Sequence, residues 1–138
     1  MEDFVTFEIA KKLKEKGFKE ECLYHYIGED LVCNIESSIS NNQLWFSHNK
    51  FDNIWHRDNY DAPTIEQAFK WLRNNKKTMI SILPVAFNEK ENKFNKYYCT
   101  IYYAAKGIVF ESHERPETFE TYEKCALDAI EYVLDNLI

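Results

Sequence analysis

Between residues 122 and 137 apolar side chains recur every three or four positions: Tyr122, Cys125, Ala126, Ala129, Ile130, Val133, Leu134 and Leu137. That spacing makes a helix with one apolar stripe, and such a stripe must be covered by another layer. Thr121 stands where an N-cap is needed. The covering layer is readable just upstream. Residues 97–105 alternate as a strand, with Tyr97 and Tyr103 on one face and Tyr98 and Tyr102 on the other. Residues 79–87 form a second β run with Ile80 and Ile82 on one face, and Pro84 marks an edge position or a bulge. Residues 88–95 read as a polar turn with Lys90 and Lys93. Residues 108–112 make a third strand, in a region that Pro116 ends.

The same rules place the other elements. Thr6 caps a helix running to about Lys16, with Ile9, Ala10 and Leu13 on one face. Gly17 then supplies a left-handed position, and Phe18 closes back on Leu13. Residues 22–27 and 31–36 form a hairpin around Gly28-Glu29-Asp30. Residues 43–48 read as a short strand and 49–62 as a loop. Pro63 prevents a helix before Thr64, and Gln67 completes a capping box there. Ile65, Ala68, Phe69 and Leu72 are the buried stripe of that helix, and Asn74-Asn75 ends it. The expectation is a single α+β domain over residues 1–138: a mostly antiparallel sheet packed against two amphipathic helices, with an additional N-terminal helix at an edge.

Charge narrows the partners. The net charge of −6 is carried by the C-terminal end, where Glu111, Glu114, Glu117, Glu120, Glu123, Asp128, Glu131 and Asp135 face only Arg115 and Lys124. Phosphate backbones are repelled by such a segment, so nucleic acid is disfavoured as a partner. No apolar run approaches the roughly 20 residues of a membrane span. The acidic start, Met1-Glu2-Asp3-Phe4, is no export signal, and Cys22, Cys33, Cys99 and Cys125 show no C-x-x-C pairing. They read as reduced thiols, and a cytoplasmic location follows.

No motif in the chain carries recognisable chemistry. The 3 glycines are scattered, which excludes both a G-x-G-x-x-G turn and a P-loop. His56-Arg57-Asp58 shares its letters with a kinase catalytic loop, but no accompanying kinase motif is present. Cys22 and His25 have a C-x-x-H spacing, yet strand positions three apart point to opposite faces. No catalytic residue, metal ligand or cofactor site is therefore assigned. One cluster stands apart. Trp45, Phe46, His48, Phe51, Trp55, His56, Arg57 and Tyr60 mix large aromatics with polar residues in a long loop. Trp, Tyr and Arg dominate interface hot spots, so Trp45, Trp55, His56, Arg57 and Tyr60 form a candidate binding face for a protein partner. Leu127 and Tyr132 lie off the stripe of the last helix and suggest a homodimer face.

Two resemblances attach to these residues. From residue 64 the order helix, three strands, helix resembles the double-stranded-RNA-binding domain. That family opens its last helix with a lysine-rich run, whereas this chain has Glu120-Thr121-Tyr122-Glu123-Lys124. Over nearly the whole chain, the segments Val5-Thr6-Phe7-Glu8, Lys16-Gly17-Phe18, Asp61-Ala62-Pro63-Thr64-Ile65-Glu66-Gln67-Ala68-Phe69-Lys70-Trp71-Leu72-Arg73 and Tyr122-Glu123-Lys124-Cys125-Ala126 resemble small proteins encoded by phages and mobile elements of gut Bacteroidetes. That family transfers no activity. It implies a small accessory protein, and the expectation is a protein-interaction module acting on a host component. The alternative is a small-molecule or nucleotide-binding domain that stacks its ligand on the sheet aromatics.

Overall fold

The computed structural model describes residues 3–33, 59–105, 109–114 and 118–138, and for Ala105 and residues 109–114 it describes the backbone. The described chain is α+β. The elements are α1 (Phe7–Glu15), β1 (Tyr24–Ile27), β2 (Asp30–Cys33), β3 (Asn59–Asp61), α2 (Ile65–Lys76), β4 (Thr78–Asn88), β5 (Lys93–Ala105), β6 (Val109–Glu114) and α3 (Tyr122–Asn136). The strands form two antiparallel three-stranded sheets, β2-β1-β3 and β4-β5-β6. The chain divides into two compact units, Met1–Thr64 and Ile65–Ile138.

Local chemistry builds the first unit. The Thr6 side chain accepts from the Ile9 N–H at 3.3 Å and caps α1. At the other end Gly17 takes φ 98°, a left-handed value that a side chain disfavours. Its N–H donates to the Lys14 carbonyl at 3.1 Å, and the Phe18 N–H donates to the Leu13 carbonyl at 2.9 Å. These two bonds make a Schellman cap. Ile9, Ala10 and Leu13 are the buried face of α1. β1 and β2 form the expected hairpin, turning at Gly28 with φ 58°. β1 is the central strand of its sheet, and β3 pairs with its other side through His25 and Asp61, Tyr26 and Tyr60, and Ile27 and Asn59. The stretch containing β3 reads as a loop in the sequence, and pairing with β1 is what makes it a strand. The N-terminal segment is held by the Val5 N–H donating to the Pro63 carbonyl at 3.1 Å and by the Tyr26 hydroxyl donating to the Val5 carbonyl at 2.6 Å.

The second unit follows the expected order, α2-β4-β5-β6-α3. α2 runs on to Lys76, and Lys77 at φ 51° ends it. Besides the expected stripe, Trp71 is buried, with the Lys76 ammonium 5.5 Å from its ring centroid. β5 is the central strand. Its odd positions face the helices: Cys99 and Ile101 are fully buried, and Tyr97 meets Tyr122 of α3 edge-on at 6.2 Å. α3 is capped by Thr121, whose side chain accepts from the Lys124 N–H at 3.1 Å. Its buried residues are Cys125, Ala126, Ala129, Ile130, Val133 and Leu134, the middle of the expected stripe, while Tyr122 and Leu137 at its ends are half-buried.

Pro84 lies on β4, at the edge of the sheet and beside a break in register. Pro84 pairs with Tyr97 but Ala86 with Lys96, so Val85 is an extra residue on β4. Phe87 then pairs with Phe94, so Asn95 is an extra residue on β5 and the original register returns. The turn is shorter than the sequence suggests, because β5 already begins at Lys93. Asn88 closes it by accepting from the Lys90 and Glu91 N–H groups at 3.0 and 3.2 Å.

Candidate interaction surface

Of the residues singled out in the sequence, Tyr60 lies in β3 and is half-buried. Its ring packs against Phe7 of α1 at 5.5 Å, and the Lys14 ammonium stands 5.3 Å from the ring centroid. Lys14 also donates to the Asn59 carbonyl at 3.5 Å. Tyr60 thus helps fasten α1 to its sheet. Trp45, Trp55, His56 and Arg57 lie outside the described residues. So do Phe46, His48, Phe51 and the strand expected at 43–48.

The first unit encloses several polar side chains. His25, Asn59 and Asp61 are buried, as is Cys22. Burial pushes the Cys22 thiol up, and the charges of Asp61 and Glu20 push it the same way. The thiol donates to the Glu20 carbonyl at 3.5 Å. A thiol held protonated in this way is a poor nucleophile and a poor metal ligand. Among the described residues, no group of three His, Cys, Asp or Glu side chains is placed to hold a metal ion. No helix among them is long and apolar enough to cross a membrane.

The exposed apolar surface is concentrated elsewhere. Met79, Leu83, Val85, Phe87, Phe94 and Tyr102 are all exposed, and all belong to β4 and β5. Two structural reasons put them there. Up to Leu83, the odd positions of β4 and the even positions of β5 oppose the helix-facing set, so Met79 beside Tyr102 and Leu83 beside Tyr98 form the outer face. Beyond that point the hairpin outruns its neighbour. Among the described residues β6 pairs with Thr100 through Ala105, and the end from Pro84 to Tyr97 has two strands over most of its length. A bridge between Tyr97 and Phe119, made by two backbone bonds of 2.8 Å, is the last support on the β6 side among the described residues. Phe87 and Phe94 lie past it, 50% and 48% exposed, with their rings 5.2 Å apart and edge-on. Such a pair stiffens the hairpin end while leaving most of both rings in solvent. Sequence reasoning passed over both phenylalanines. Their near-symmetric placement about the polar turn is the signal that marks them as a cross-strand pair beyond the sheet's third strand.

Beside this end lies an open cleft of about 590 Å³, lined by Phe94, Asn95, Tyr97 and Tyr122 together with Glu91, Glu120 and Glu123, and by Lys93 and Lys96. Lys93 pairs with Glu91 at 3.4 Å. The rings offer stacking surfaces, but three carboxylates against two ammonium groups disfavour a phosphate. The Asn95 amide oxygen is enclosed without a hydrogen-bond partner.

No protein family, curated protein or solved structure matches this chain.

Proposed function

We propose that this chain is a protein-interaction module, a small accessory protein that acts on a component of its host, and that it binds through the outer face and free end of the β4–β5 hairpin. One observation carries the reading. Of the eight exposed large hydrophobic residues among those described, six lie on this hairpin: Met79, Leu83, Val85, Phe87, Phe94 and Tyr102. Apolar side chains scattered singly over a surface need no explanation, whereas six concentrated on one hairpin, with Met79 beside Tyr102 and Phe87 beside Phe94, support a contact surface. The rings of Phe87 and Phe94 are large, stiff and already paired, so little conformational freedom is lost when a partner covers them. The acidic C-terminal segment, with Glu120, Glu123, Asp128, Glu131 and Asp135, favours a protein partner over a nucleic acid. The small-molecule alternative retains the aromatic walls of the cleft, and its acidic rim favours an uncharged or cationic ligand over a nucleotide.

The test is affinity capture from host-type lysate with nuclease present, using the native chain, a Phe87→Ser/Phe94→Ser variant and a Tyr132→Ser control on α3. The hairpin variant should keep its circular dichroism spectrum and lose at most about 1 kcal/mol of stability. Its affinity for the captured protein should fall by about 100-fold or more. Equal capture by the native chain and the hairpin variant would remove the hairpin from the binding surface. Capture abolished equally by the α3 control would move the surface to that helix.

A further inference from the structure

β4 is an edge strand, and among the described residues no strand pairs with its outer side. Which backbone groups it leaves there follows from the bonds of β5. The Tyr97 N–H donates to the Phe119 carbonyl, and the Tyr97 carbonyl accepts from the Phe119 N–H, both at 2.8 Å, so both Tyr97 groups face away from β4. The Ala104 N–H donates to the Lys77 carbonyl at 3.1 Å, so the even positions of β5 are those that face β4. An antiparallel ladder alternates in step. Met79, Ser81 and Leu83, opposite Tyr102, Thr100 and Tyr98, therefore direct their N–H and C=O groups to β5. Ile80 and Ile82 present theirs at the free edge.

Edges of this kind are normally blunted by charge, by proline or by a bulge. β4 has no charged residue from Thr78 to Asn88, and its proline and bulge come only at Pro84 and Val85. The stretch before them, Met79-Ile80-Ser81-Ile82-Leu83, reads nearly the same in both directions. Its apolar side chains are incompletely covered. Ile101 and Cys99 of β5 are fully buried, but Ile80 and Ile82 opposite them are half-buried. On the outer face Met79 and Leu83 are 52% and 43% exposed.

We propose that β4 pairs with the β4 of a second copy of this chain, antiparallel about a two-fold axis at Ser81, so that two three-stranded sheets become one. The near-palindrome selects this occupant. In that register Ile80 of each copy lies opposite Ile82 of the other and exchanges N–H···O=C bonds with it. Met79 meets Leu83 on the outer face, and Ser81 meets its own counterpart. Like side chains therefore face like across the seam, and no charge is brought to it. Sliding one strand by two residues sets Ser81 against Met79 or Leu83 and breaks the match. Pro84 of each copy falls opposite Thr78 of the other and has no N–H to give, so the ladder ends there on both sides. The seam stops short of Phe87 and Phe94, and the inference does not depend on what that hairpin end binds.

The test is sedimentation equilibrium of the full chain over a range of concentrations, and the expected result is a reversible dimer. Ser81→Lys sets two ammonium groups face to face at the axis, from an outer-face position, and should raise the dimer dissociation constant by about tenfold or more. Ser81→Glu should do the same, and it serves if the lysine variant does not fold. Mixing the two variants should restore the dimer, because lysine then faces glutamate. A residue away from the axis would not face its own counterpart and would show no such rescue. The inference is overturned if the native chain stays monomeric, or if its dimer is unchanged by both Ser81 substitutions. It is also overturned if folded variants stay monomeric when mixed, or if Tyr132→Ser on α3 abolishes the dimer.

Discussion

Changing Tyr26 to Phe removes one oxygen atom and tests how the N-terminal segment is held. The Tyr26 hydroxyl donates to the Val5 carbonyl at 2.6 Å, and both residues are buried. The phenyl ring remains, and with it the edge-on contact to Phe7 at 5.8 Å. The main loss is therefore the bond itself, together with the cost of leaving the Val5 carbonyl enclosed without this donor. An orphaned buried acceptor costs about 1–3 kcal/mol, and about 1.5 kcal/mol is expected here. Melting entropy scales with the number of residues that unfold together, at about 2.1 cal/mol/K each. If Met1–Thr64 melts by itself, 1.5 kcal/mol lowers its midpoint by about 11 °C; if all 138 residues melt as one, the fall is about 5 °C. Calorimetry of the native chain and the variant reads the size of the shift and which transition moves. A midpoint lowered by less than about 2 °C would refute the reasoning, because the carbonyl would then have found another donor at little cost.

Other outcomes follow from the same structure. Stability should decline as pH rises above 9, the ordinary value of a thiol, because unfolded Cys22 and Cys125 ionise there while burial keeps the folded thiols neutral. Tyr26, also raised by burial, joins them above its ordinary value of 10.0. Each such group steepens the loss by up to about 1.4 kcal/mol per pH unit until its folded form also ionises, and urea titrations at intervals of pH measure it. Gly17→Ala places a side chain at φ 98° and should cost about 1 kcal/mol, read from the shift in urea midpoint. Thr121→Ala removes the α3 cap and should cost about 1 kcal/mol, with faster amide exchange in the first turn of that helix.

What could be read directly from the chain was what neighbours in sequence decide among themselves. The capped ends of α1, the turn at Gly28, the cap at Thr121 and the buried stripes of all three helices depend on residues a few positions apart. The faces of β5 were legible for the same reason, since strand alternation is a local rule. The candidate surface was legible only in part. Tyr60 stood out by residue type, but its place under Lys14 and beside Phe7 depends on a strand that exists because β1 lies next to it.

Tertiary structure decided what required distant partners. Asn59, Tyr60 and Asp61 have no strand signature of their own, and cross-strand hydrogen bonds to β1 overrode that weak local preference. The division of the strands into two sheets likewise depends on pairings that no local pattern encodes. The same holds for the exposure of Phe87 and Phe94. Their hydrophobicity alone points to a core, but among the described residues β6 pairs from Thr100 onward and the hairpin end has two strands. The sequence by itself thus determined the elements and their inward faces, through short-range sterics and hydrogen bonds. Which of those faces find a covering layer depended on long-range pairing and packing, and those only the folded chain sets.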